Sequence, residues 1–444
     1  MNMANALTIA GSDSGGGAGI QADLKTFSAF GVHGMVAITS VTAQNTREVK
    51  AINDIPSSIV KKQIEAVAED IGIDAAKTGM LSNKKIIEAV SKAVKKYDFP
   101  LIVDPVMVSK SGAYLLREDA IDYFIKHIIP IAYVITPNRY EAERLTNLKI
   151  NNMKDARKAA KIINGMGAKA VVIKGGHIGK KANDLLYYMG KFKEYKGELI
   201  NGCTHGTGCS FSAAIAANIA KGKSIEESIE IAKKFINIAI KYGRKIGHGN
   251  CPVNPDAWIH IPAEKWNVYE ELKDAIDKIL SIDIVDIIPE VGTNFVYALP
   301  SLYARDINDV AGVEGRIVRA GKKAKMVGEI KFGVSRHLAK AVLKAMEYNK
   351  NVRAAINIKY DESLIKNAKK KFSISYYDRR KEPEEIKRKE GATIPWGIEE
   401  AIKRAKKFPD IIYHKGDVGK EPMILIFGRN PRDVIKKMEN LQWK

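Results

Sequence analysis

The chain has few cysteines and no long apolar run, and both shortages exclude classes of protein. Only three cysteines occur in 444 residues, Cys203, Cys209 and Cys251, without the CxxC spacing of a zinc site or the density of a disulfide scaffold. No stretch offers about 18 consecutive apolar residues, and the N-terminus lacks the segments of a secretory signal. We therefore expect no disulfide scaffold, no structural metal, no membrane span and a reducing cytoplasm as the location.

The charge is strongly positive but evenly spread. The formal net charge is +21, and residues 261–444 hold 37 Lys and Arg against 27 Asp and Glu, so this part contributes +10 and the first 260 residues +11. Nucleic-acid binders usually concentrate basic residues on one element. The even distribution predicts surface ion pairs and anionic small substrates, with no nucleic-acid partner.

Length and pattern predict two α/β domains. Apolar runs alternate with amphipathic segments up to about residue 261, as a mostly parallel sheet covered by helices requires. Polar residues and glycines follow many runs, where open α/β sheets place their ligand crevice. A fresh amphipathic segment at residues 263–280 marks a second, smaller α/β domain, so we predict domains at 1–263 and 264–444. The predicted strands of the first domain are residues 6–10, 34–40, 75–78, 101–103, 133–136 and 170–174.

A glycine-flanked turn before a small-residue helix is the strongest chemical signal. Gly206, Thr207 and Gly208 lead into a helix near Cys209, and the amides at a helix N-terminus suit a phosphoryl group. A thiol at this end has a lowered pKa, although a small buried cysteine that packs the helix start is the alternative. The earlier glycine cluster at residues 11–17 fits neither GxGxxG nor the P-loop, and is equally typical of a tight turn.

Eight segments between residues 5 and 260 resemble, in order, those of hydroxymethylpyrimidine and hydroxymethylpyrimidine-phosphate kinases of thiamine biosynthesis, within the ribokinase-like superfamily. Most members of that superfamily place Asp after the GxG, whereas the pyrimidine kinases resemble this chain in placing Cys there. Cys251 is a departure, because we expect Gly at that position of the family. The segments are AGSDSGGGAGIQADLKTF, SVTAQNT, KTGML, VDPVMVSKSG, TPNRYEAERL, VIKGGH, HGTGCSFSAAIAA and GHGNCPVNPDAW.

The resemblance implies a role for each matching residue. Cys209 is the base that removes the hydroxymethyl proton, and the turn of Gly206, Thr207 and Gly208 stabilises the transferring phosphoryl group. ATP and Mg²⁺ are the implied cofactors, and the family implies a homodimer. The remaining implied residues are Lys174, Asn138, Glu141 and Thr207 for ATP, Asp104 and Glu141 for Mg²⁺, and Gly11, Asp23, Gln44, Met80 and Val106 for the pyrimidine. Asp104 as a turn residue and Glu141 as a first-turn helix acid are the plain alternatives.

Residues 264–444 resemble the thiamine-phosphate synthase domain that is fused to this kinase in archaea and some bacteria. PEVGTN, GRIV, GEIKFGVSRHLA and GKEPMILIFGRNP are the matching segments. The pattern favours Arg316 and His337 as the important pair, with Arg319 beside them and a helix capped by Ser335. The implied substrates are the pyrimidine pyrophosphate and thiazole phosphate. Asp306 and Asp309 are expected to have a helix-surface or turn role rather than to bind a metal, and Arg379 and Arg380 are expected on the surface.

Three alternatives remain open at this stage. The second domain resembles ligand-binding domains of some regulators, so a thiamine-phosphate sensor is possible, although Arg316 and His337 favour catalysis and no helix-turn-helix is evident. For the first domain the alternative is a pyridoxal kinase, because pyridoxal kinases share the expected fold. A non-enzymatic scaffold has no feature in its favour.

Overall fold

The computed structural model describes residues 3–178, 181–389, 391–417 and 419–441. Contacts divide the chain into two compact units, Met1–Ile259 and His260–Lys444. The division falls four residues before the predicted one, inside a helix, Ala257–Ser281, that includes Pro262. The predicted helix at 263–280 therefore begins earlier than its pattern indicated, because the apolar residues before Pro262 belong to the same helix. Within the described residues, no helix combines the length and apolar character that crossing a membrane requires.

The first unit contains a mostly parallel sheet. Its strand order is β3-β2-β1-β4-β5-β6-β7-β8-β9, and all pairs from β2 to β7 are parallel, while β3, β8 and β9 pair antiparallel. All six predicted strands are present, and β3, β8 and β9 are additions at the two edges. In chain order the strands β1 to β9 are Asn5–Asp13, His33–Gln44, Val49–Asp54, Ala75–Thr78, Leu101–Val103, Val134–Ile135, Ala170–Ile173, Asp184–Tyr188 and Lys191–Tyr195.

Helices cover both faces of this sheet because the strands alternate apolar side chains between two cores. Leu7 and Val103 belong to the core under α2 to α6, whereas Ala6 and Ile102 belong to the core under α1, α7 and α8. Two-sided burial explains the continuous apolar runs of the central strands. The helices α1 to α8 are Gly19–Ala29, Ser57–Asp70, Lys84–Tyr97, Ile121–His127, Arg139–Thr146, Met153–Gly165, Thr207–Ala220 and Ile225–Lys241, and α9 is Ala257–Ser281.

The second unit contains a sheet of different topology. Its strand order is β14-β11-β10-β15-β18-β17-β16, and every pair is antiparallel except β16 with β17. The strands β10 to β18 are Phe295–Ala298, Val310–Val313, Ile317–Ala320, Lys323–Met326, Ile330–Phe332, Ala354–Lys359, Ile374–Tyr376, Ile411–His414 and Met423–Gly428. The helices α10 to α14 are Arg336–Tyr348, Glu362–Ala368, Glu384–Arg388, Thr393–Arg404 and Pro431–Glu439. Helices α10 and α13 pack their buried residues on one face of this sheet.

Candidate active sites

The carboxyl ends of the parallel strands in the first unit open into a cavity of about 900 Å³. A parallel sheet aligns these ends along one edge, which is why residues distant in sequence meet there. Twelve of the predicted site residues line the cavity, and Asp23 does not. Those twelve are Gly11, Gln44, Met80, Asp104, Val106, Asn138, Glu141, Lys174, Gly206, Thr207, Gly208 and Cys209.

The glycine-rich turn after β1 folds around its own carboxylate. Asp13 accepts hydrogen bonds from the amides of Gly15, Gly17 and Ala18 at 2.8, 3.0 and 2.8 Å. Its Oδ2 also lies 3.3 Å from Nε2 of His205. Burial opposes the charge, but these bonds hold the pKa of Asp13 below its ordinary value. The amides of this turn therefore serve Asp13 rather than a ligand.

His205 is a cavity residue that the sequence analysis missed. Its Nε2 lies 3.5 Å from Nε2 of Gln44, a residue predicted to bind the pyrimidine, so the side chain belongs to the same part of the cavity. The signal was present in the HGTGC segment, because His205 directly precedes the turn of Gly206, Thr207 and Gly208.

The turn before α7 requires glycine and presents a helix N-terminus to the cavity. Gly206 has φ +80°, and a Cβ there would lie 1.9 Å from the carbonyl oxygen of Gly17. No side chain caps the helix at this position, and the hydroxyl of Thr207 donates to the carbonyl of Thr204 at 2.7 Å. The first-turn amides, the groups that bind anions at helix ends, thus begin at the cavity wall.

The sequence predicted a lowered pKa for Cys209, and this prediction is wrong because the fold raises it. Burial raises the pKa of the thiol to about 11, and although Lys77 lowers it, the nearby carboxylates Asp23 and Asp104 raise it further. The sequence argument considered only the helix end, which favours the thiolate. The fold adds burial and two carboxylates, so the thiol of the ligand-free chain is protonated at neutral pH.

Asp23 is not placed to bind a substrate. It is fully buried, its carboxylate binds the ammonium of Lys77 at 2.8 and 3.0 Å, and the hydroxyl of Thr8 donates to it at 2.7 Å. Burial opposes the charge of Lys77, but Asp23 outweighs it and raises the pKa of Lys77. Lys77 lines the cavity, whereas Asp23 does not. The prediction that Asp23 contacts the substrate is therefore wrong, and the side chain at the cavity is the lysine that Asp23 binds.

A second lysine joins the two carboxylates predicted to bind Mg²⁺. The ammonium of Lys174 lies 2.9 Å from Asp104 and 3.8 Å from Glu141. Asn138 and Glu141 also form a capping box that begins α5, with bonds of 2.9 and 2.7 Å. Burial raises the pKa of Glu141, and the charge of Asp104 acts in the same direction. Glu141 therefore caps the start of α5, which was its alternative role, and it also lines the cavity.

Part of the cavity wall is apolar. Leu199, Ile200, Ile236 and Ile240 line it, and Lys233 there is paired with Asp184 at 2.8 Å. An apolar wall in a cavity that also holds lysines and a helix N-terminus has the character of a site for a nucleotide base.

A disulfide joins Cys203 and Cys251, a single pair that the sequence did not indicate. The two Cα atoms are 5.0 Å apart although 48 positions separate the residues in sequence. The backbone brings them together, because the amide of His205 donates to the carbonyl of Cys251 at 3.1 Å and the amide of Val253 donates to that of His205 at 3.0 Å. Cys209 is the free cysteine.

In the second unit, positive side chains surround His337 at the start of α10. Burial lowers the pKa of His337, and Arg316, Lys340, Lys420 and Arg379 lower it further by their charges. Arg316 has φ +77°, and its guanidinium donates to the carbonyl of Val291. The predicted pair of Arg316 and His337 therefore lies in one positively charged region. Arg379 also belongs to this region, although the sequence predicted only a surface position for it.

Three other expectations for the second unit have different outcomes. Ser335 precedes α10 in a left-handed conformation, φ +55°, and its side chain makes no capping bond, so it does not cap that helix. Asp306 and Asp309 form a capping box in a short turn, which is the role that was expected of them. Arg380 pairs with Asp378 at 2.9 Å and is exposed, as predicted.

Each unit is similar to a known family. Residues 13–254 match the model of the phosphomethylpyrimidine kinase family, and residues 271–440 match that of thiamine-phosphate synthase ThiN. Over 98% of both chains, the sequence is 35% identical to the bifunctional thiamine biosynthesis protein ThiDN of Methanocaldococcus jannaschii. The kinase part alone is 48% identical to the hydroxymethylpyrimidine/phosphomethylpyrimidine kinase of Bacillus subtilis, covering 57% of this chain and 95% of that protein.

A solved structure is similar to the first unit. An ADP complex of Bacillus subtilis pyridoxal kinase matches with a TM-score of 0.55 and 39% identity, over 58% of this chain and 98% of that one. The ribokinase-like fold expected from the sequence is confirmed.

Proposed function

The chain belongs to the family of bifunctional enzymes that join a phosphomethylpyrimidine kinase to a ThiN-type thiamine-phosphate synthase, and from this premise we propose how its residues divide the work. The first unit uses ATP to phosphorylate hydroxymethylpyrimidine to the monophosphate and then to the pyrophosphate. The second unit condenses that pyrophosphate with thiazole phosphate. The chain thus consumes in one unit what it makes in the other.

We propose that the acceptor hydroxymethyl group lies against Cys209, whose sulfur takes its proton. The observation that carries this assignment is the position of Cys209 in the first turn of α7, on a cavity that Lys77, Asp104 and Lys174 also line. The first-turn amides stabilise charge on the transferring phosphoryl group, and Lys174 neutralises the phosphates of ATP. Because phosphoryl transfer depends mainly on positioning and charge, a base that is mostly protonated at neutral pH is sufficient.

Asp104 and Glu141 are the proposed ligands of Mg²⁺, directly or through water. Among the described residues no cluster of three or more His, Cys, Asp or Glu side chains could enclose a metal. Two carboxylates at one wall of the cavity still fit Mg²⁺, which is usually held by one or two carboxylates together with substrate phosphates and water. Bound there, Mg²⁺ supplies positive charge to the phosphates of ATP.

The pyrimidine is proposed to bind between Met80 and Val106, with Gly11 behind it and Gln44 as a hydrogen-bond partner. A Cβ at Gly11 would lie 3.1 Å from the sulfur of Met80, so glycine preserves the space there. We add His205, which lies within 3.5 Å of Gln44. An aminopyrimidine presents donors and acceptors that must be matched when it is buried, and Gln and His offer both.

For the synthase reaction we propose that Arg316 and His337 bind the departing pyrophosphate. Arginine suits this role because its guanidinium keeps its charge and presents paired donors. The positive surroundings of His337 favour an anionic ligand at this position. The match of residues 271–440 to a synthase family favours catalysis over a sensor role.

The whole chain, incubated with hydroxymethylpyrimidine, ATP, Mg²⁺ and thiazole phosphate, should produce thiamine phosphate detectable by mass spectrometry. Arg316→Gln should stop this product while the pyrimidine pyrophosphate accumulates. Pyridoxal is the necessary competing substrate, because the structural neighbour is a pyridoxal kinase. Faster turnover of pyridoxal than of hydroxymethylpyrimidine would overturn the assignment of the substrate.

We further propose that the chain works in the cytoplasm as a homodimer. Disulfides are rare in cytoplasmic proteins, hyperthermophiles being the main exception. The disulfide between Cys203 and Cys251 is therefore unusual for the proposed location, and its presence in cells can be tested. Light scattering of the whole chain tests the dimer, and alkylation of thiols in freshly lysed cells tests whether the disulfide exists in the compartment where the chain resides.

A further inference from the structure

Lys110 differs from the other basic side chains that line the kinase cavity. Each of the others lies within 4.0 Å of a carboxylate. The pairs are Lys77 with Asp23, Arg144 with Glu118, Lys174 with Asp104 and Lys233 with Asp184, while His205 lies against Asp13. Lys110 has no such carboxylate partner in the part of the chain that the structure describes. Its ammonium contacts the hydroxyl of Thr204.

The position of Lys110 places an unbalanced positive charge beside the transfer site. It belongs to the cavity-lining segment that begins with Val106, a residue proposed above to bind the pyrimidine. Thr204, which it contacts, accepts a hydrogen bond from the hydroxyl of Thr207, the first residue of α7. The ammonium therefore lies at the turn where the acceptor and the γ-phosphoryl group of ATP must meet.

The two acceptors of this kinase make different chemical demands. The first is an alcohol, whose proton has to be removed as its oxygen bonds to phosphorus. The second is a phosphate monoester, whose last proton has a pKa of about 6, so at neutral pH its oxygens are already mostly deprotonated. The second acceptor needs no base, but it brings negative charge towards the negative phosphates of ATP, and it therefore needs a cation.

We propose that the two phosphorylations use different residues, Cys209 as the base for the alcohol and Lys110 as the binding residue for the phosphate of the monoester. In the first reaction the hydroxymethyl proton passes to Cys209 in its thiolate form, which is the minor form at neutral pH because the thiol has a raised pKa. The new O–P bond forms as the bond from the γ-phosphorus to the bridging oxygen breaks, which releases ADP. In the second reaction a phosphate oxygen attacks in the same way, and no proton moves. This inference rests on the proposed assignment of Cys209.

Steady-state kinetics with each acceptor supplied separately test the division. Lys110→Met should lower kcat/KM for the monoester by roughly 10- to 100-fold, the range for one charge-assisted hydrogen bond, and should lower kcat/KM for the alcohol much less. Cys209→Ala should show the opposite preference, with a loss of roughly 100-fold or more for the alcohol. Lys110→Arg should preserve the ratio of the two reactions. Lys62→Met, an exposed lysine on α2, is the control.

Each other outcome contradicts part of the inference. Equal losses for both acceptors in Lys110→Met would place Lys110 on ATP or on the shape of the site, and no loss would exclude it from binding. Equal losses in Cys209→Ala would refute the division. No loss with either acceptor in Cys209→Ala would instead remove the base assigned under the proposed function, and the Lys110 result would still stand by itself. Unchanged ATP binding and thermal unfolding establish that each variant is folded.

Discussion

The disulfide between Cys203 and Cys251 should be a major source of stability for the first unit. It closes a loop of 48 positions, and a cross-link of this span removes chain entropy from the unfolded state that corresponds to roughly 4 kcal/mol near room temperature. For a unit of this size, that difference moves Tm by roughly 8 to 16 °C. The double variant Cys203→Ser/Cys251→Ser should show this decrease by calorimetry of the whole chain.

The design of this experiment follows from the unequal exposure of the two cysteines. Cys203 is 2% exposed whereas Cys251 is partly exposed, so burial does not set how fast a reductant opens the disulfide in the folded protein, and the substitutions are the cleaner perturbation. A reductant present throughout should lower Tm of the unsubstituted chain but not of the double variant. Since the second unit holds none of the three cysteines, its own transition should not move.

Two results would refute this reasoning. A Tm that differs by less than about 2 °C between the two chains would show that the cross-link does not restrict the unfolded state as the loop-entropy argument requires. Alkylation of the denatured, unreduced protein at three thiols rather than one would show that the disulfide does not form.

Three further predictions concern single groups. Alkylation of Cys209 by iodoacetamide should speed up roughly tenfold per pH unit between about pH 7 and pH 9, because the thiolate is still the minor form below a pKa of about 11; a plateau in this range would contradict the raised pKa. Lys77→Met should destabilise the first unit by roughly 3 to 5 kcal/mol by leaving Asp23 buried without its partner, and adding Asp23→Asn should recover part of the loss in denaturant unfolding. Gly206→Ala should reduce kinase activity by roughly 100-fold through displacement of the anion-binding turn, with the synthase reaction of the same chain as the unaffected reference.

The sequence predicted well the features that follow from local pattern. The central strands are apolar because helices cover both of their faces, so runs such as residues 101–103 were recognisable, and the polar residues that follow them lie at the cavity as expected. The edge strand Val49–Asp54 was missed because its side chains are mostly exposed. Without a buried face, a strand leaves little hydrophobic pattern to detect.

The features that were missed depend on contacts between distant residues. The sequence around Cys203 does not indicate that it pairs with Cys251. The two residues meet only in the folded chain, where the backbone hydrogen bonds of His205 bring them together. The role of Asp23 was likewise misassigned, since its partner Lys77 is 54 positions away. Spacing cannot reveal such pairs, and the raised pKa of Cys209 likewise comes from burial and from carboxylates that are distant in sequence.

The surroundings of Cys209 explain why a thiol suits this position better than the Asp that most ribokinase-like enzymes place there. Asp23 and Asp104 are both near, and the lysines that would balance a third carboxylate, Lys77 and Lys174, already hold these two. An Asp at this position would be a buried charge without a partner, which is costly. A thiol is neutral at rest and avoids that cost, but it has the weakness that only its minor thiolate form can accept the proton of the alcohol. The same weakness is harmless in the second phosphorylation, where the acceptor has no proton to give.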